Sequence, residues 1–85
     1  MNVSATRERR KQPIRRSVTS AIELYLGDLN GHKVNDLYHV VMNEVEPALL
    51  GVVMEHVEGN QTQAAELLGI SRGTLRKKLN EYRIG

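Results

Sequence analysis

Four cations within one seven-residue stretch, Arg72, Arg76, Lys77 and Lys78, are the side chains of this 85-residue chain best placed for a specific chemistry. A guanidinium can bond a guanine's O6 and N7 together, and an ammonium suits a phosphate. Other chemistries find less support. His32, His39 and His56 lie on different expected elements without a metal-ligand spacing such as His-Glu-X-X-His, and no glycine-rich phosphate loop occurs. Each histidine reads as a surface or interface residue. Glu44 and Glu46 are two apart, so on a helix they point about 200° from each other and cannot cooperate as an acid/base pair. They read as solvated. With no cysteine, disulfides, thiol catalysis and cysteine-ligated zinc are excluded. The expectation is a protein with no catalytic residues, metal or cofactor.

The elements that must position the cations are legible around them. Asn60 is a preferred N-cap, with Gln63 three residues on to complete a capping box, and Gly69 stands where a helix can end on a left-handed residue. A short helix over about Gln61 to Leu68 follows. After the turn Gly69-Ile70-Ser71, Ser71 can cap a second helix reaching about Tyr82, with Leu75, Leu79 and Tyr82 at helical spacing on one face. Ala64 and Ala65 are small enough to let the two helices cross closely, as a helix-turn-helix requires. Around the second helix Gly73 and Lys77 point away from the apolar face, with Arg72 and Arg76 on one edge and Thr74 and Lys78 on the other. That arrangement suits a major groove, Gly73 removing bulk where backbone must approach the duplex. A solvated basic face would explain Arg76-Lys77-Lys78 taken alone. Caps, turn, small-residue pair and cations together favour duplex DNA as the partner.

These residues carry a family resemblance. The run from Gly59 to Leu79 resembles the C-terminal helix-turn-helix of the Fis family of bacterial nucleoid-associated proteins, and also the DNA-binding domains that end nitrogen-regulator-type activators. Asn35-Asp36-Leu37-Tyr38 and Glu44-Val45-Glu46, with Leu49-Leu50 beyond, share the resemblance, which spans about Pro13 to Tyr82. The segment Thr74-Leu75-Arg76-Lys77-Lys78-Leu79 is specific to this superfamily. By the resemblance Arg72, Arg76 and Lys77 match base and phosphate contacts in the groove, and Asn60, Gln61, Thr62, Thr74 and Lys78 match backbone contacts. Ser71 joins this set, although it departs from the asparagine usual there. Asn80 and Glu81 replace two lysines, which implies less flanking DNA engaged and a smaller bend. In the family the paired recognition helices sit closer than one turn of straight DNA, so the duplex bends to meet both and specificity is partly indirect.

The rest of the chain fits that frame. Residues 1 to 16 carry six Lys or Arg against one acid, residues 17 to 58 one Lys against seven acids, and residues 59 to 85 five cations against two acids. An acidic middle between basic ends concentrates the attraction for a polyanion on chosen surfaces. Only Tyr25, Tyr38 and Tyr82 are aromatic, too few for the stacking platforms of single-strand binders. No apolar run is long enough for a signal peptide or a membrane span, so the expected location is the cytoplasm, on the nucleoid.

Residues 1 to 12 lack apolar periodicity and read as a mobile basic arm, dispensable for folding, ahead of one domain from 13 to 85. The family's longer arm forms a hairpin that contacts site-specific recombinases. Its alternating apolar pattern is missing here, which argues against a recombinase partner. RNA polymerase is a further partner the resemblance suggests.

From about Ile14 to Leu29, Val18, Ala21, Ile22, Tyr25, Leu26 and Leu29 follow the pattern of an amphipathic helix that Asn30-Gly31 ends. A long helix is expected over about Asn35 to Glu58, its main stripe Leu37, Val40, Val41, Val45, Ala48, Leu49, Val52, Val53 and Val57, with Leu50 and Met54 elsewhere around it. Pro47 deletes an amide bond to Asn43 and is expected to kink it, although the family's proline lies one residue later. A helix apolar on more than one side must be covered on more than one side. The expected answer is an all-α, four-helix subunit whose two N-terminal helices form a homodimeric core and whose C-terminal helix-turn-helix reads a pseudo-palindromic site. Two other readings are the DNA-binding and dimerisation module of a nitrogen-regulator-type activator, and a dimerisation scaffold that does not bind DNA. The basic start and the helical end at Tyr82-Arg83-Ile84-Gly85 favour a stand-alone protein.

Overall fold

A computed structural model describes residues 13 to 85; the basic stretch read as an arm lies outside the described residues. The described residues are all-α. In chain order the helices are α1 (Ile14–Gly27), α2 (Leu37–His56), α3 (Gln61–Leu68) and α4 (Arg72–Glu81). The chain divides into two units, the first ending at Val34 and the second beginning at Asn35.

In the first unit α1 stops two residues before the end of its apolar pattern. Gly27 and Asp28 are poor helix formers, and the Asp28 amide closes the last turn on the Leu24 carbonyl at 3.0 Å. Asn30 (φ 51°) and Gly31 (φ 84°) then take left-handed conformations, as the Asn-Gly pair suggests.

The second unit is built on α2, which is two residues shorter at each end than the expected span Asn35 to Glu58. At the N-terminus Asp36 makes no side-chain cap; its carboxylate instead meets His39 Nδ1 at 2.6 Å. The helix continues without a break through Pro47. Its core face draws on both sets of apolar residues that the sequence distinguishes. Leu50 and Val53 are the buried residues of α2, joined by the half-buried Met54 and Val57, whereas Val45, Leu49 and Val52 of the expected main stripe are 39, 51 and 70 % exposed. At 100° per residue Leu50 and Val52 lie about 200° apart, while Val53 and Leu49 stand nearer the boundary between the two sides. The side that packs within the unit is the one carrying Leu50.

Against that side sit α3 and α4. Ala64 and Ala65 of α3, and Leu75 and Leu79 of α4, complete the core of buried residues, with Leu68, Ile70, Tyr82 and Ile84 packed around it. Ala64 and Leu75 have no exposed surface, so the small residue on α3 lets a large one on α4 reach the centre. The turn between them is a full Schellman motif. Gly69 is left-handed at φ 75°, its amide reaches Glu66 O at 3.2 Å, and the Ile70 amide reaches Ala65 O at 3.1 Å. Both expected caps form, since Asn60 Oδ1 accepts from the Gln63 amide and Ser71 Oγ from the Thr74 amide, each at 3.1 Å. The capping box is only half made, because the Asn60 amide bonds Val57 O at 3.1 Å and so does not wait for the Gln63 side chain.

Glu46 is a correction to the sequence reading. It lies on the Leu50 side of α2 and is half-buried rather than solvated. The Tyr82 hydroxyl donates to its Oε1 at 2.6 Å, and the Lys78 ammonium donates to its Oε2 at 2.9 Å. One carboxylate thus ties the C-terminal half of α4 to the middle of α2. The tyrosine hydrogen bond first, and the lysine's second, hold this carboxyl below its ordinary value of 4.5, with burial opposing. The same bond pushes the Tyr82 phenol up from 10.0 to about 12.

Two predictions follow from this packing. Leu75→Ala should destabilise the protein by roughly 2–5 kcal/mol, as a large-to-small change at a fully enclosed site, while Leu67→Ala, at a residue 59 % exposed, should have a far smaller effect. Urea titrations of both variants check this. The tie predicts a pH window. Because the Glu46 carboxyl is depressed, its contribution is present above 4.5 and lost as pH falls through the lower folded value. Because the Tyr82 phenol is raised, its contribution is present below 10.0 and lost as pH rises toward 12. The melting-temperature gap between the protein and Tyr82→Phe should therefore stay flat from about pH 6 to 9 and close at both extremes. A gap that varied across neutral pH would mean that other groups govern it.

Candidate nucleic-acid interface

The functional side chains are set out by α4 and by the N-terminal ends of α3 and α4. Burying Leu75 and Leu79 against α2 and α3 turns the opposite side of α4 outward, and Arg72, Gly73, Thr74, Arg76 and Lys77 are all exposed there or at its edges. Among the described residues, none of Arg72, Arg76 and Lys77 has a carboxylate within ion-pair distance; the pairs formed are Lys78–Glu46 and His39–Asp36. Three cations on one short helix thus present charge to solvent without an internal anion to neutralise it.

Gly73 has a clear physical meaning. A side chain built there would meet no atom of the protein within 4 Å, and its φ is not left-handed, so nothing inside the fold requires a glycine. Gly73 is the second residue of α4, where glycine favours a helix less than alanine does, so the fold by itself gives no reason for it.

Ser71 and Thr74 form one unit. The Ser71 hydroxyl donates to Thr74 Oγ1 at 2.9 Å while accepting from the Thr74 amide. Its single proton is thereby engaged inside the cap, and the proton the pair can offer outward is that of Thr74. At the start of α3, Asn60 and Thr62 are exposed, with the Asn60 carbonyl oxygen engaged in its cap, and Gln61 is half-buried. These remain polar groups at a helix N-terminus, where the amide ends favour an anion.

Lys78 is placed differently from the other cations. It sits at the edge of α4 turned toward α2, 31 % exposed, with its ammonium on Glu46. That hydrogen bond holds the ammonium above its ordinary value of 10.5, so it stays charged and paired. Spacing along α4 alone could not find this partner, which stands 32 residues away. A usable signal was present on α2, because Glu46 falls four residues before Leu50 and seven before Val53, on their face. None of the three histidines is buried, and no group of three or more His, Asp or Glu side chains able to hold a metal occurs among the described residues.

The sequence profile of the family described as "Bacterial regulatory protein, Fis family" matches residues 41–82, which span most of α2 and all of α3 and α4. Among curated proteins the chain is 52 % identical over 80 residues to the DNA-binding protein Fis of Aliivibrio fischeri strain MJ11, covering 94 % of this chain and 82 % of that protein. It is 54 % identical over 72 residues to the protein of the same name from Proteus mirabilis strain HI4320, covering 85 % of this chain and 74 % of the relative. With the one from Haemophilus influenzae strain PittEE it shares 53 % identity over 74 residues, 87 % of this chain and 75 % of the relative. A helix-turn-helix held on the inner side of a long two-faced helix, and identity above one half along most of three such proteins, establish that this chain belongs to the Fis family.

Proposed function

We propose that this protein is a homodimeric DNA-binding and DNA-bending regulator of the bacterial nucleoid. The observation that carries the reading is α4: a capped helix anchored by Leu75 and Leu79, carrying exposed Arg72, Arg76 and Lys77 around a glycine that the protein's own packing does not need. Arg72 at the N-terminal end serves as the reader of a guanine edge, and Arg76 and Lys77 as holders of phosphate. Asn60, Gln61, Thr62, Ser71 and Thr74 supply polar contacts to the backbone at two helix N-termini. The printed names of the relatives, each a DNA-binding protein, support the same partner. A regulator acting at promoters meets RNA polymerase, which is the protein partner expected.

Dimerisation follows from α2. Leu49 and Val52 lie outside the unit's own core and are more than half exposed, with Val40 and Val45 also exposed on the same helix. Apolar area of that extent on one helix favours cover by a second copy, and a twofold axis then presents two copies of α4 to two half-sites.

Competition binding with one preferred and one scrambled duplex tests the reader. Arg72→Ala should cost roughly 1–3 kcal/mol on the preferred site and much less on the scrambled one, flattening the preference for a guanine in each half-site. A variant that kept the wild-type preference would remove Arg72 from that role. The dimer is tested by dilution, since an obligate homodimer melts at a temperature that rises with protein concentration. A concentration-independent melt together with a monomer mass by light scattering would rule it out.

A further inference from the structure

Lys78 carries the same charge as its neighbour Lys77 but not the same position. At 100° per residue Lys77 points about 160° from the buried Leu75, and Lys78 only about 60° from it. That turn brings Lys78 beside α2, where its ammonium donates to Glu46 Oε2 at 2.9 Å. The other carboxylate oxygen accepts from Tyr82 at 2.6 Å, so one oxygen is engaged by α4 and the other by the residue that caps its end. Glu81, three residues beyond Lys78, adds a second negative charge that acts on the same ammonium. Glu46 is itself flanked by Pro47, inside a helix that continues on both sides, which fixes the backbone from which the carboxylate projects.

Resting on the DNA-binding reading, we propose that Glu46 is a positioning residue that withholds Lys78 from the DNA backbone. The phosphate-holding cations of α4 are then Arg72, Arg76 and Lys77 alone. Moving Lys78 to a phosphate would leave a half-buried carboxylate without its cation and bring that negative charge uncompensated to the rim of a polyanion. The engaged lysine closes that side of α4 against the duplex as a neutral pair. It also gives the helix its lateral anchor, because the hydrogen bonds to Lys78 and Tyr82 act one turn apart on α4.

A double-substitution cycle read by salt dependence tests this. Glu46→Gln keeps an acceptor for the Tyr82 hydroxyl but loses the charge that holds the ammonium. Duplex affinity is measured against salt concentration for the unsubstituted protein, Lys78→Ala, Glu46→Gln and the double variant. Each neutralised phosphate adds about 0.9 to the slope of log affinity on log salt, so freeing both Lys78 side chains of a dimer should steepen it by about 1.8 in Glu46→Gln. Lys78→Ala alone should leave the slope unchanged, and the double variant should return to that same value. A Glu46 that only scaffolds would shift the melting temperature of Glu46→Gln and leave its slope where it was, which overturns the proposal. So would a slope that falls by about 1.8 in Lys78→Ala alone, because Lys78 would then sit on phosphate with Glu46 intact. That outcome overturns the proposal even if Glu46→Gln does not fold. Salt-independent binding by the unsubstituted protein would overturn the DNA reading and this inference together, whereas steep binding with an active Lys78 overturns only the inference.

Discussion

Helix α2 is apolar on two opposite sides, and most of what this protein can do depends on how those sides are divided. One side, Leu50 and Val53 with Met54 and Val57, receives the helix-turn-helix. The other keeps Leu49 and Val52 open. A unit this small buries few side chains, so its only large fully enclosed residues are Leu50 and Leu75, one from α2 and one from α4. Helix α4 is therefore mounted directly on the helix whose other side stays open. In the proposed homodimer, any shift of α2 across the twofold axis would carry α4 with it and so set the distance between the two copies of α4.

Electrostatics sharpen that mounting. The charged residues of α4 divide into those facing outward without an internal anion and one, Lys78, that reaches back to Glu46. Tyr82 uses the other oxygen of the same carboxylate. Exposed ion pairs contribute little to stability, but a half-buried carboxylate with two charge-assisted hydrogen bonds imposes geometry. It selects one rotation of α4 about its own axis. Leu75 and Leu79 select the same rotation from the apolar side. Agreement between the two keeps Arg72, Gly73 and Lys77 on the outside.

Local chemistry accounts for the sharpness of the helix-turn-helix. Asn60 and Ser71 each satisfy one amide at a helix start, and Gly69 with Ile70 satisfies two carbonyl groups at a helix end. The turn between α3 and α4 therefore has little freedom, even though it is only three residues long. Two other helix ends use the same device with residues less suited to it. Glu58 (φ 53°) precedes Gly59 after α2, and Arg83 (φ 56°) follows α4, with the Gly59 amide on Met54 O at 2.9 Å and the Ile84 amide on Leu79 O at 2.8 Å. A left-handed conformation costs a residue with a Cβ roughly 1–2 kcal/mol, so the packing of Val57 and Ile84 into the core must enforce it.

The sequence by itself determined the bounds of α3, the start of α4, both caps, the left-handed Gly69 and the outward set Arg72, Gly73, Arg76 and Lys77. The helix bounds, caps and turn rest on interactions between residues no more than five apart, where backbone geometry leaves few choices, and the outward set follows from the spacing of Leu75 and Leu79 on α4. It also made α2 a helix with more than one apolar side, and the long identity with Fis proteins was already audible in Thr74 to Leu79. What it could not rank was which side of α2 faces inward. Hydrophobic periodicity grouped the inward Val53 and Val57 with the exposed Val45, Leu49 and Val52 and set Leu50 and Met54 apart, because periodicity measures how apolar a face is and not what lies opposite it. The fate of Lys78 and Glu46 was equally hidden. Their bond joins residues 32 apart, and the Tyr82 bond residues 36 apart. Such contacts exist only after two helices have packed at one angle and one rotation, which Ala64, Leu50 and Leu75 decide together through shape.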